Sequence, residues 1–185
     1  MRLFLIGLPG CGKSTLGRAL ALRLDVGFID LDLYIEGRWH RSVADMFATV
    51  GEEEFRRREN AMLREAGEMD NVIVACGGGT PLGEGNMDYM LSRGDVVWLT
   101  ASEDVLVRRI LLAGTRRPAF AGLDEAKVRA KIRGLVDARS RIYSRAPLRF
   151  CGDSLENRRL IDASVERFIS EINIQPKDTP SNQIL

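Results

Sequence analysis

"GLPGCGKST", Gly7 to Thr15, follows directly on an apolar run, Leu3 to Ile6, whose length and composition suit a buried strand. Gly7, Gly12, Lys13 and Ser14 meet the pattern G-x-x-x-x-G-K-[ST] in full, so the stretch reads as a phosphate-binding loop. Glycine permits the backbone turns that point several N–H groups inward, and a helix starting at Lys13 or Ser14 adds its own N-terminal amides to the same concave anion site. Gly10, Cys11, Gly12, Lys13, Ser14 and Thr15 are therefore the expected triphosphate cradle. Lys13 is expected to reach the outer phosphates, and the Ser14 hydroxyl to serve Mg²⁺. The loop alone leaves open what receives the phosphate.

Outward from the loop, apolar segments recur at Gly27 to Ile29, Val72 to Ala75 and Val96 to Leu99, with a weaker one at Arg149 to Cys151. Stretches with helical spacing separate them, which predicts an α/β fold of parallel strands joined by crossover helices. After the loop, Leu16, Ala19, Leu20 and Leu24 mark one helix face. Phe55, Glu59, Met62, Leu63 and Ala66 mark a second, long helix opened by Glu52, Glu53 and Glu54, which suit a helix N-terminus. Further helices are predicted over Glu103 to Leu112 and Asp124 to Tyr143. Between them "AGTRRPAFAG" reads as a mobile, lid-like loop, placed at about 112–124. The polar "QPKDTPSNQIL" of 175–185 reads as a frayed tail beyond a single domain of 1–174.

Bulk properties narrow the class. A chain of 185 residues with 45% apolar content supports one well-buried core. Twenty-seven Lys and Arg balance 26 Asp and Glu, so no overall basic field recruits nucleic acid or an anionic membrane, and an anionic ligand has to be held by local arginines. Cys11, Cys76 and Cys151 show no metal-site spacing. The apolar start is shorter than a signal h-region, and no stretch is long enough to span a bilayer, so a reduced, cytoplasmic protein is expected.

Three further segments carry candidate chemistry. In "GFIDLDLYIE", Asp30 and Asp32 stand at the end of the second strand, near the phosphate loop if the sheet is parallel. One carboxylate would hold a hydrated metal and the other a substrate hydroxyl; a solvated turn with a helix cap is the alternative. In "ACGGGTPLGEG", Gly77, Gly78 and Gly79 follow the third strand, either to let a ligand approach bare backbone or simply as a flexible loop. Arg139 falls within the continuation of an apolar stripe through Val128, Ile132, Leu135 and Val136 to Ile142 and Tyr143. It is a candidate anion ligand directed toward the domain, or else a snorkelling side chain. Arg56 lies beside the Phe55 stripe, and Arg116 and Arg117 lie in the lid, where a closing arginine would neutralise a transferring phosphoryl group. His40 reads as exposed, Trp98 as strand core and Cys11 as filler within the loop.

Taken together, "GLPGCGKSTLGRALA", "FIDLDLYIE", "SVADMFATVGEEEFRRRE", "VACGGGT", "RRP" and "ARSRIYSRAP" resemble the shikimate kinase family over nearly all of residues 1 to 150. The resemblance implies a three-layer P-loop fold like that of the nucleoside-monophosphate kinases, with a five-stranded parallel sheet flanked by helices, plus a lid. It implies transfer of the ATP γ-phosphate to the 3-hydroxyl of shikimate, with Mg²⁺, in chorismate and aromatic amino acid biosynthesis, by a protein expected to be a monomer. By position, Asp32 would hold the acceptor hydroxyl, and Asp30 would support Mg²⁺ beside Ser14. Arg56 and Arg139 would bind the shikimate carboxylate, with Gly77, Gly78 and Gly79 contacting hydroxyls. Arg117 would reach the transferring phosphate together with Lys13, and Arg109 would pack on the adenine. "RPAF" departs from the apolar pair more usual after the lid Arg-Pro. Gluconate or nucleoside-monophosphate kinases, which share loop, sheet and lid, and a nucleotide-gated binding module are the rival readings.

Overall fold

The protein's structure, a computed structural model, describes residues 1–114 and 117–173. Arg116 of the expected lid and the expected tail at 175–185 lie outside the described residues. Five strands, β1 (Arg2–Ile6), β2 (Gly27–Asp30), β3 (Val72–Ala75), β4 (Asp95–Thr100) and β5 (Leu148–Cys151), form one parallel sheet in the order β2-β3-β1-β4-β5. The central strand explains why the sheet must be covered on both sides. Leu3, Phe4, Leu5 and Ile6 are all fully buried although successive side chains point to opposite faces, so neither face meets water.

The covering helices are α1 (Lys13–Leu24), α2 (Leu31–Trp39), α3 (Val43–Glu68), α4 (Asn86–Arg93), α5 (Glu103–Ala113), α6 (Glu125–Tyr143) and α7 (Arg158–Ile172). Helix α1 packs on β2, β3 and α7, while α4 packs on β4 and α3. Helix α3 is broken at Gly51, whose φ of 81 and ψ of 170 are non-helical, so a fresh helical segment begins at the acidic Glu52 to Glu54. Asp124 caps α6 by accepting from the Lys127 amide at 2.8 Å. The expected lid is not plain loop throughout: Pro118–Phe120 form a short 3-10 turn, and Phe120 is buried. Trp98, expected in the strand core, is half-buried between Tyr143 and the Arg149 guanidinium.

The loop after β1 is pinned to the sheet at Gly7. A Cβ added there would lie 2.3 Å from the Leu99 carbonyl oxygen, and its φ of +144 is one that side chains rarely adopt. Gly7→Ala is therefore expected to cost on the order of 1–3 kcal/mol, read as a lowered melting temperature. An unchanged melting temperature would show that the loop tolerates a different path out of β1.

Candidate active site

All five strands deliver their carboxyl ends to one edge, and the residues singled out from the sequence gather there. β1 leads into the phosphate loop, where Gly12 takes a left-handed conformation and α1 begins at Lys13. The Lys13 ammonium donates to the Gly7 and Leu8 carbonyls at 2.8 and 3.0 Å, which folds it back over its own loop. The Ser14 hydroxyl donates to Asp30 Oδ2 at 2.5 Å. Asp30 also caps α2, accepting from the Leu33 amide at 3.4 Å. The capping and site readings of Asp30 thus coexist in one side chain. Ser14 and Asp30 offer oxygen donors only, which fits a hard divalent cation that draws its other ligands from phosphates and water. No cluster of three or more His, Cys, Asp or Glu side chains able to enclose a metal ion exists among the described residues.

β3 leads into Gly77–Gly79, and added methyl groups would reveal what lies against each glycine. A Cβ on Gly77 would come within 2.7 Å of Asp32 Oδ1, one on Gly78 within 2.8 Å of Arg139 Nη1, and one on Gly79 within 2.8 Å of Arg56 Nη1. One acid and two arginines from α2, α6 and α3 therefore converge on three consecutive residues without side chains.

The electrostatics at this turn are lopsided. Burial, with Asp30 and Glu59 nearby, raises the Asp32 carboxyl from 3.8 to about 6, against the pull of Lys13 and Arg117. Arg117, exposed in the lid segment, is thus already felt at Asp32. Arg56 is held in place by Glu59 at 2.7 Å and Glu52 at 3.3 Å, and its guanidinium lies 5.5 Å from both the Phe47 and Phe55 ring centroids. Arg139 has no carboxylate at ion-pair distance among the described residues, which leaves its charge available to an incoming anion.

Arg109 stands apart from this cluster. Its guanidinium donates to the Gly10, Gly152 and Asp153 carbonyls and to Glu156, bracing the phosphate loop against the segment after β5. With its edge occupied in this way, the planar face of the guanidinium remains the part suited to stacking.

Two residues of the site escaped the sequence reading. Glu59 sits on the apolar stripe of α3, yet it is only 1% exposed and accepts from both Arg56 and the Thr80 hydroxyl, the latter at 2.6 Å. A carboxylate placed on an otherwise apolar stripe was the available signal, since a buried acid requires a cation. Thr80, fully buried, is recognisable only once Glu59 is seen against it.

Comparison with known proteins identifies the family. The family model described as shikimate kinase matches residues 9–173. The shikimate kinase of Bacteroides thetaiotaomicron is 41% identical over 167 residues, covering 90% of this chain and 95% of its own. That of Phocaeicola vulgatus is also 41% identical, covering 93% and 98%. A crystal structure of the Bacteroides thetaiotaomicron enzyme superposes with a TM-score of 0.91 at 40% identity, covering 94% of this chain and 99% of that one. The Acinetobacter baumannii enzyme in complex with shikimate gives 0.80 at 26% identity, covering 93% of each chain. With the family match spanning almost the whole sequence and relatives this similar along their full length, the chain belongs to the shikimate kinase family.

Proposed function

We propose that the protein phosphorylates the 3-hydroxyl of shikimate at the expense of ATP, giving shikimate 3-phosphate for aromatic amino acid biosynthesis. The observation that carries this reading is the convergence of Asp32, Arg56 and Arg139 on Gly77–Gly79. A small ring bearing one carboxylate and several hydroxyls needs cations for the former, and acceptors and bare backbone for the latter.

In this reading Arg56 and Arg139 bind the carboxylate, while the glycine turn and Asp32 bind hydroxyls. Asp32 accepts a hydrogen bond from the 3-hydroxyl and aims its oxygen at the γ-phosphorus, so a new O–P ester bond forms as the bond to the β–γ bridging oxygen breaks. The hydroxyl proton passes to Asp32 or leaves late, as a loose transition state permits, so orientation is the first task of this carboxylate. Gly10, Cys11, Gly12, Lys13, Ser14 and Thr15 hold the triphosphate, and Lys13 exchanges its loop carbonyls for phosphate oxygens. Arg117 follows from the lid, and Arg109 presents its face to the adenine. Ser14 and Asp30 would hold Mg²⁺, which supplies charge neutralisation between the phosphates when bound.

We place this activity in a single domain of 1–174 that works as a monomer in the cytoplasm. No helix among the described residues is long and apolar enough to cross a membrane.

A coupled ADP-release assay with ATP and Mg²⁺ and with shikimate, gluconate or AMP as acceptor tests the reading. Turnover is expected with shikimate. Turnover confined to gluconate or AMP would replace the substrate, and ATP binding without transfer to any acceptor would point to a binding module.

A further inference from the structure

Tyr143 lies on α6 one turn beyond Arg139 and is 1% exposed. Its hydroxyl donates to the Gly78 carbonyl at 2.5 Å, across 65 residues of sequence. Gly78 thus faces the same helix twice: its carbonyl accepts from Tyr143, and the Arg139 guanidinium occupies the space a side chain at Gly78 would need. Burial pushes the Tyr143 hydroxyl up to about 12, so it keeps its proton and remains a donor at any working pH.

The consequence lies on the other side of that peptide. The Gly78 carbonyl and the Gly79 N–H belong to one planar trans unit and point in opposite directions. With the oxygen drawn toward buried Tyr143, the Gly79 N–H is aimed the other way, away from α6, on a turn that is itself half-buried. Neither the Gly78 nor the Gly79 amide has a protein acceptor among the described residues. Both are available to an oxygen-bearing ligand.

The turn's own bonds, from the Thr80 amide to the Gly77 carbonyl and from the Leu82 amide to the Gly79 carbonyl, do not engage this central peptide and so do not set which way it faces. It joins two glycines, and a flip would carry Gly79 from its φ of −92 to a positive value that only glycine accepts readily. Packing buries the tyrosine ring but leaves space on one side of it. The ring meets Trp98 at a centroid distance of 5.8 Å, but it also borders a cavity of about 200 Å³ lined by Leu8, Cys11, Ile132 and Val136. The hydroxyl bond is the contact that couples the ring to the turn.

We infer that Tyr143 is a positioning residue for shikimate: it locks the Gly78–Gly79 peptide with its N–H toward the substrate and keeps Arg139 in register with that turn. The inference rests on the proposed function and concerns how that site is held ready rather than which residues touch the ligand.

Tyr143→Phe removes one oxygen and retains the ring. The variant is expected to raise the KM for shikimate about tenfold, as loss of a buried hydrogen bond and release of the turn imply, while the KM for ATP stays within about twofold and kcat within about threefold. A merely structural tyrosine would lower the melting temperature without separating the two KM values, and equal KM values for shikimate in the two proteins overturn the inference. Should the variant not fold, the wild-type protein labelled with ¹⁵N-glycine answers the question. The Gly79 amide resonance is expected to shift on titration with shikimate, and a Gly79 signal unmoved at saturation overturns the inference. Failure of the wild type itself to phosphorylate shikimate would instead remove the underlying reading, and this inference with it.

Discussion

Asp32→Asn is expected to reduce phosphoryl transfer to shikimate by about 10²- to 10⁴-fold, the range spanned by removal of a positioned proton acceptor, while leaving ATP affinity close to that of the wild type. The amide keeps the size of the carboxylate but donates where an acceptor is needed, so the 3-hydroxyl loses the partner that aims it. The triphosphate cradle lies on α1 and the loop before it, and Asp32 acts on it only through the charge of Lys13. Loss of ATP binding in parallel with activity would show that Asp32 supports the donor side instead, and would sink its assignment to the acceptor.

The same substitution is expected to stabilise the unliganded, metal-free protein, because the site holds Asp32 in an environment hostile to its charge. Its carboxyl is raised from 3.8 to about 6, by burial first and then by Asp30 and Glu59. The folded state therefore binds this proton more tightly than the unfolded chain does. Below pH 4 both states carry the proton and the site imposes no penalty; the penalty grows as pH rises through the window from 4 to 6, and is complete above it. A shift of this size corresponds to roughly 1–3 kcal/mol, or about 2–12 °C in melting temperature for a chain of this length. Asp32→Asn should melt higher than the wild type at pH 7.5 and together with it at pH 4. A variant that melts lower at pH 7.5 would mean that Asp32 is stabilised as an anion in the folded protein.

The parts of this architecture that were readable from sequence were those with strong local signals. β1 through β4 appeared as short apolar runs because a parallel sheet covered on both faces needs no polar alternation. The glycine loop stated its own geometry. Helix α2 was not legible, since only Leu31 and Ile35 are buried along it and its Asp30 cap reads equally well as a turn. Helix α7 lies beyond the segments the apolar pattern marks as helical, although Asn157 caps it and Ile161, Val165, Phe168 and Ile172 follow at helical spacing toward the core. In the site, Asp32 and the glycines could be placed by their strand ends. Glu59 carried a local signal, a carboxylate on an apolar stripe, but Thr80 and Tyr143 did not, because their chemistry arises from contacts across 21 and 65 residues that no local pattern encodes.

Arg139→Ala is expected to raise the KM for shikimate by about 10- to 100-fold, the worth of a charge-assisted contact to a carboxylate, with little change in melting temperature. The two arginines at the glycine turn differ in what they hold in the free protein. Arg56 already neutralises Glu59, an acid only 1% exposed, and is fixed by Glu52 and two aromatic rings. Its removal strands a buried carboxylate, so Arg56→Ala should lower stability by about 3 kcal/mol or more along with affinity. Arg139 carries no such obligation, and its charge faces Gly78 without a carboxylate at ion-pair distance among the described residues. Its deletion should therefore appear as a nearly pure binding defect: a raised KM for shikimate, an unaltered KM for ATP, and a melting temperature within about 2 °C of the wild type, since a half-exposed arginine free of ion pairs contributes little to folding. An unaltered KM for shikimate in Arg139→Ala would assign the carboxylate to Arg56 alone. A large fall in melting temperature would instead make Arg139 a structural tether of α6 to the glycine turn.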